Sequence, residues 1–138
     1  MGDLNRGRNL TALQKWHEIV KAQSLDGLKD LLTEDAIFYS PIIYTPQVGR
    51  DLVLMYLGAA AQMLFNGTFE YLKECEGDHC AILEFHAVVD GLTINGVDII
   101  TWDDEQKIDS FKVMVRPLKA TNMLHARMIE MLEALNAL

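Results

Sequence analysis

The stretch LQKWHEIVKAQSLDGLKDLLTEDAIFYSP, residues 13–41, decides the fold. Its first part places apolar residues at helical spacing, and the break SLDG at 24–27 precedes a second helical segment rich in leucine. The phrase LTEDA then leads into a strand at 36–39. Pro41 ends that strand because proline has no backbone N–H to donate. The stretch therefore predicts two helices followed by a strand.

Other signals mark where the helices begin and end. Thr11 and Gln14 form a capping-box pattern at the start of the first helix, and Ser24 is the expected N-cap of the second. Residues 51–65 predict a third helix, which an Asn-Gly pair ends. Three helical segments therefore precede most of the predicted sheet.

The second half of the chain changes to strand periodicity. Turn-forming or strongly polar segments separate four alternating runs, and a proline opens a last helix at 118–138. Helices first and strands later indicate an α+β fold rather than a parallel α/β fold. The predicted strands are residues 69–76, 79–90, 92–102 and 108–116.

The chain of 138 residues is long enough for one domain with its own core; we assign residues 10–138 to it, after a flexible N-terminus at 1–9. The formal net charge of −8 argues against nucleic acid and membrane partners, which attract basic surfaces. No basic-then-apolar segment opens the sequence, and no apolar run approaches the ~18 residues of a membrane span. We therefore expect a cytoplasmic protein.

Cysteine, histidine and glycine spacing indicates neither a metal site nor a cofactor. Cys75 and Cys80 would lie opposite each other on neighbouring strands, within reach of a disulfide, if a two-residue Gly77-Asp78 turn joins them. In a reducing compartment, free thiols are favoured. No metal-ligand spacing and no phosphate-cradling glycine loop is found in the sequence.

Residues 13–41 resemble the opening of the nuclear transport factor 2-like superfamily. The phrase FKVMVRPL at 111–118 resembles its SnoaL-like branch, which is related to polyketide cyclases and ketosteroid isomerases. The resemblance implies a cone-shaped α+β fold, in which a curved antiparallel sheet, three N-terminal helices and a C-terminal helix enclose an apolar cavity. It also implies a homodimer through the sheet face, to which Leu83, Phe85 and Ala87 would contribute, with Lys112 and Met114 as further candidates.

The resemblance further implies where the polar residues of ketosteroid isomerases would lie. The oxyanion-binding tyrosine falls on Trp16, the proton-transferring aspartate on Ser40 and the oxyanion-binding aspartic acid on Asp98. Asp98 alone keeps the residue of the isomerases. The hydroxyl of Ser40 cannot take a proton at neutral pH without a partner. Steroid isomerisation by that mechanism is therefore not expected.

Three side chains are candidate catalytic residues. The strand at 79–90 has one apolar face and one face bearing Glu84 and His86, and the resemblance turns the second face toward the cavity. Asp98 lies in an otherwise apolar strand, where a carboxyl group either finds a partner or stays protonated with a raised pKa. His86 is the natural partner because its charge changes near neutral pH. We expect a His86–Asp98 acid–base pair that Glu84, Ser40 or Tyr44 assists.

The turn between these two strands decides whether that pair can meet. A two-residue Asp90-Gly91 turn pairs His86 with Asn95 and places Asp98 on the other face. A three-residue turn or a bulge would bring His86 and Asp98 to one face. Both arrangements stay open from the sequence.

A further group of side chains is expected to contact a ligand because each is aromatic or carries a hydroxyl and lies near the predicted cavity. This group consists of Trp16, Ser40, Tyr44, Tyr56, Trp102 and Phe111.

Two functions follow from these expectations. The first is a cofactor-independent lyase, isomerase or cyclase that acts on a small hydrophobic carbonyl compound through His86 and Asp98. The second is a non-catalytic dimeric module that binds a hydrophobic ligand or has a structural role, which the changes at Trp16 and Ser40 favour. A protein-binding role of the nuclear-transport type is a more distant third.

Overall fold

The computed structural model describes residues 10–134. The expected flexible segment at 1–9 and the last residues of the predicted C-terminal helix lie outside that range. The order of elements confirms the predicted α+β class. The elements are α1 (Ala12–Ala22), α2 (Leu28–Leu31), β1 (Leu32–Tyr39), β2 (Gln47–Val48), α3 (Arg50–Leu64), β3 (Glu70–Gly77), β4 (Cys80–Val89), β5 (Leu92–Trp102), β6 (Ile108–Arg116) and α4 (Leu118–Ala134).

Six strands form one curved, unclosed sheet in the order β2-β1-β6-β5-β4-β3. The four long strands β3 to β6 form an antiparallel meander, as predicted. Strand β1 instead runs parallel to β6, so the sheet is mixed rather than wholly antiparallel. The short strand β2 was not predicted and pairs with the free edge of β1.

The helix starts follow local hydrogen bonding. The capping box of α1 is confirmed: the Thr11 hydroxyl accepts from the Gln14 N–H at 3.1 Å, and the Gln14 side chain accepts from the Thr11 N–H at 2.9 Å. Helix α2 begins after Gly27 rather than after Ser24, whose hydroxyl accepts from the nearby N–H of Asp26.

Among the described residues, no helix is long and apolar enough to cross a membrane.

The turn between β4 and β5 contains two residues. Asp90 and Gly91 both have positive φ, 51° and 77°, as a type I′ hairpin turn requires. His86 therefore pairs with Asn95, and Asp98 lies on the opposite face because side chains alternate along a strand. The predicted His86–Asp98 pair is wrong for this reason.

The turn between β3 and β4 comes one residue later than the sequence suggested, since Gly77 pairs with Cys80. Cys75 consequently lies opposite Ile82 rather than opposite Cys80. Both cysteines are free thiols.

The apolar face of β4 points inward. Its residues Leu83, Phe85 and Ala87 are buried, and the cluster around Phe85 includes residues of α3 and α4. Burying a side chain of that size is worth roughly 1.5–3 kcal/mol. The prediction that this face meets a dimer partner is wrong, because helices of the same chain already cover it.

Candidate functional site

A cavity lies between the inner face of the sheet and the helices. The centre of a water molecule can occupy about 80 Å³ of this cavity. That volume is several times the roughly 10–15 Å³ that a single water needs by the same measure. Its walls are mostly apolar and rich in aromatic rings from β1, β3, β4, β6 and α3. Asp98 is the one carboxyl group among the described residues that line it. A ligand that fits must therefore be largely apolar, with a polar atom near Asp98.

Asp98 is placed in this cavity by the inward-facing side of β5. It is 6% exposed and is the one buried charged residue of the described chain. The hydroxyl of Tyr71 donates a hydrogen bond to its Oδ2 at 2.5 Å. Burial raises the pKa of Asp98 to about 7, although the hydrogen bond from Tyr71 opposes the rise. Near neutral pH the group is therefore present both as acid and as carboxylate.

Tyr71 joins Asp98 to the first helix. It lies on β3 opposite Phe85, next to an irregularity in the β3–β4 register. Its hydroxyl oxygen accepts a hydrogen bond from the indole Nε1–H of Trp16 at 3.0 Å. Burial and then the negative charge of Asp98 raise the pKa of Tyr71 well above its ordinary value. The phenol thus keeps its proton at any physiological pH.

Aromatic packing holds the Tyr71 ring in place. Phe69 packs edge-on against Tyr71, with ring centres 5.1 Å apart, and stacks on Phe85 at 5.3 Å. Phe65 also packs edge-on against Phe69, with ring centres 5.2 Å apart. Such pairs add roughly 0.5–1.5 kcal/mol each beyond burial. The hydroxyl of Tyr71 is therefore presented to Asp98 by a fixed ring.

Tyr71 is a site residue that was not predicted from the sequence. Phe69, just before β3, and Tyr71 on β3 are two residues apart, and Tyr71 pairs with Phe85 on the apolar face of β4. That pattern would have turned Tyr71 inward if the apolar face of β4 had been assigned to the cavity. Because the Glu84/His86 face of β4 was assigned to the cavity instead, Tyr71 was not predicted to point inward.

Several predicted ligand contacts do line the cavity. Trp16 packs edge-on against Phe111, with ring centres 4.9 Å apart and an interplanar angle of 69°. Tyr56 of α3 stacks on Phe38 of β1, with ring centres 5.5 Å apart. These rings form an apolar wall that would suit a flat hydrophobic ligand.

Ser40 also lines the cavity, beyond the end of β1. Its hydroxyl oxygen accepts hydrogen bonds from the backbone N–H groups of Ile42 at 3.0 Å and Ile43 at 3.3 Å. The hydroxyl proton is then left to donate to a ligand. Ser40 is suited to hold an oxygen atom but not to take a proton.

The other predicted site residues lie elsewhere. Glu84 and His86 project from the outer face of the sheet, where the Nδ1 of His86 is 3.9 Å from Glu70. Tyr44 is 98% exposed, outside the cavity lining, and Trp102 is packed in the core. Within residues 10–134, no three His, Cys, Asp or Glu side chains converge as a bound metal ion would require.

The model of the SnoaL-like domain family matches residues 13–110, more than half of the chain. The chain belongs to the SnoaL-like domain family. Its curved sheet and four helices match the cone fold of the nuclear transport factor 2-like superfamily, which confirms the resemblance.

Solved structures place this SnoaL-like chain near isomerases and cyclases. A steroid delta-isomerase from Pseudomonas aeruginosa is 32% identical, with a TM-score of 0.86 over 92% of this chain and 93% of that one. A conserved bacterial protein with a cystatin-like fold from Silicibacter pomeroyi is 30% identical, with a TM-score of 0.79 over 86% and 83%. The epoxide hydrolase/cyclase-like enzyme SalBIII shares the fold at 20% identity, with a TM-score of 0.61 over 76% and 88%. No curated protein is similar enough in sequence to count as a relative.

Proposed function

We propose that this SnoaL-like protein binds a small hydrophobic carbonyl compound in its cavity and transfers a proton on it through Asp98. One observation carries the proposal: the buried charged residue of the described chain lines a mostly apolar cavity and has a pKa of about 7. A carboxyl group with a pKa near the working pH is suited both to give and to take a proton. No cofactor is needed for such a transfer.

The step that we propose is removal of a proton next to the carbonyl group. The Asp98 carboxylate takes the proton, and the electron pair of the broken C–H bond forms the C=C bond of an enolate. The carbonyl π pair moves onto oxygen, which the Ser40 hydroxyl can stabilise by donating a hydrogen bond. Where a β,γ C=C bond extends the enolate to a dienolate, return of the proton to the γ-carbon completes an isomerisation. Where the β-carbon bears a leaving group, its expulsion with the C=C electron pair completes an elimination.

The experiment is deuterium exchange at the α-carbon of 2-tetralone, a small apolar ketone, followed by NMR in D₂O. We expect exchange faster than in buffer, with a rate that rises through about pH 7 because the carboxylate is the reactive form. Asp98→Asn should abolish the acceleration. The matched controls His86→Ala and Glu84→Gln lie outside the cavity and should retain it. Equal exchange by D98N, or none above buffer, would overturn the proposal.

A second candidate is a binding module without catalysis. Its support is the state of Ser40, which stands where the isomerase resemblance expects an aspartate and whose oxygen is occupied by two backbone N–H groups. This function predicts saturable 2-tetralone binding by calorimetry without accelerated exchange. If 2-tetralone does not bind at all, both candidates fail for this class of ligand.

A further inference from the structure

The hydrogen bonds from Trp16 to Asp98 have a direction that the donor chemistry dictates. An indole N–H can donate but cannot accept, so in the 3.0 Å contact the oxygen of Tyr71 is the acceptor. Tyr71 has a single hydroxyl proton, and the 2.5 Å contact directs it to Oδ2 of Asp98. Both polar hydrogens are therefore used within the protein.

We propose that Trp16 is a positioning residue for the proton transfer: its indole N–H directs the Tyr71 proton to Oδ2 of Asp98 and leaves Oδ1 to exchange a proton with the ligand. This inference rests on the proposed function of Asp98. It differs from the arrangement implied by the isomerase resemblance, in which a tyrosine and an aspartic acid both hold the ligand oxygen. In this chain Trp16 and Tyr71 also line the cavity, but their polar hydrogens are used on Tyr71 and Asp98, so Asp98 meets the polar atom of the ligand.

The two hydrogen bonds that join Trp16, Tyr71 and Asp98, here called the relay, also set how readily Asp98 releases its proton. A hydrogen bond received by the Tyr71 oxygen polarises its O–H and strengthens donation to Asp98 by roughly 10–30%. Stronger donation stabilises the carboxylate relative to the acid and so opposes the effect of burial. Removing the indole N–H should therefore make Asp98 harder to ionise.

Few other titratable groups surround the relay in the described structure. The partners of Asp98 across β4 and β6 are apolar, and Tyr56 reaches the same cavity from α3. His17 of α1 contacts Glu74 of β3 and packs edge-on against the Tyr71 ring at 5.8 Å. Glu74 contributes to the raised pKa of Tyr71, so its charge must be controlled for.

The test is an NMR titration of the ¹³C-labelled Asp98 carboxyl in the ligand-free protein. Tyr71→Phe should raise the midpoint by roughly one to two pH units, because it removes a hydrogen bond to a charged group. Trp16→Phe keeps an aromatic ring against Phe111 and should raise the midpoint by roughly 0.2–0.5 unit. In the double variant, W16F should add nothing to the effect of Y71F. Glu74→Gln should leave the W16F effect in place.

Packing alone would give a different result. If W16F moved the midpoint equally with and without Tyr71, or lowered it, or left it unchanged, the relay would be wrong. If E74Q abolished the W16F effect, the His17–Glu74 pair rather than the indole would be responsible.

A second measurement covers the case in which Y71F does not fold. Fluorotyrosine is a more acidic phenol, so incorporating it in the otherwise unchanged chain should lower the Asp98 midpoint, and an unchanged midpoint would overturn the relay. All these titrations omit ligand. Failure of the tetralone exchange with these midpoint changes intact would therefore remove the proposed function and leave the relay standing.

Discussion

Burial of Asp98 links its protonation to the stability of the fold. Its pKa rises from 3.8 to about 7 on folding, so between these values the folded protein holds a proton that the unfolded chain releases. The stabilisation of the fold by protonated Asp98 is fully present below about pH 4 and is lost as the pH rises through about 7. Its size is roughly 4 kcal/mol, counting about 1.4 kcal/mol for each pH unit.

Asp98→Asn should remove this pH dependence. We expect the stability of D98N relative to the unchanged protein to increase by roughly 3 kcal/mol between pH 5 and pH 8, because only the carboxyl group becomes charged. Urea unfolding at the two pH values measures the difference, with Asp26→Asn, an exposed position, as the matched control. An equal stability gap at both pH values would mean that Asp98 is not held as the acid.

At the residue scale, the sequence allowed Asp98 to be identified but not its partner. A lone carboxyl group in an apolar strand predicted burial together with either a partner or a raised pKa, and Asp98 has both. Tyr71 reaches Asp98 through the pairing of β3 with β4 and of β4 with β5, which are contacts between distant parts of the chain. Such contacts depend on which face of each strand is buried, and that assignment was inverted for β4.

At the scale of elements, the close approach of β4 and β6 to β5 depends on Gly96. A Cβ atom there would lie 2.5 Å from the Phe85 ring and 2.6 Å from the Met114 carbonyl oxygen. The carbonyl belongs to a paired strand and cannot easily move. Any side chain at this position would separate the strands or displace the ring toward the cavity.

Gly96→Ala should therefore destabilise the protein by roughly 1–3 kcal/mol, the usual cost of overpacking. Gly58→Ala is the matched control, because its Cβ would meet only Leu25 at an ordinary 3.7 Å and alanine favours a helix by up to about 1 kcal/mol. Chemical unfolding of both variants measures the contrast. A G96A variant as stable as G58A would contradict the strand packing described above.

The helix start and the strands were easier to predict from the sequence than the exact lengths of the hairpin turns. The capping box and the long strands follow from local residue patterns, and they were placed to within one or two residues. The two hairpin turns were harder because each admits alternatives that differ by one residue. One such residue moves every following side chain to the other face. The length of the β4–β5 turn therefore decided whether His86 and Asp98 share a face of the sheet.

At the scale of the whole molecule, we propose that the outer face of the sheet binds a second copy of the chain. Ile82 and Met114 are 43% and 53% exposed there, and Glu84 and Arg116 lie beside them. Apolar residues flanked by both signs of charge suit a twofold contact, in which the same surface meets itself. Of the residues predicted earlier for this contact, Met114 lies on this face, whereas Leu83, Phe85 and Ala87 are buried inside the chain.

The double substitution Ile82→Lys with Met114→Lys should give a monomer at concentrations where the unchanged chain is a dimer, because it places four lysines in one twofold contact. Analytical ultracentrifugation measures the state. Leu118→Lys, at an exposed position at the start of α4, is the control and should stay dimeric. A monomeric unchanged chain, or an equal effect of L118K, would rule out this face.

The most direct test of the account is to follow the Asp98 carboxyl and the His86 ring by NMR while 2-tetralone is added. We expect the Asp98 signal and its titration midpoint to change with ligand, whereas the His86 ring signals should not change, because the sheet separates His86 from the cavity. Changes at His86 with none at Asp98 would contradict it, and would place the ligand on the outer face of the sheet.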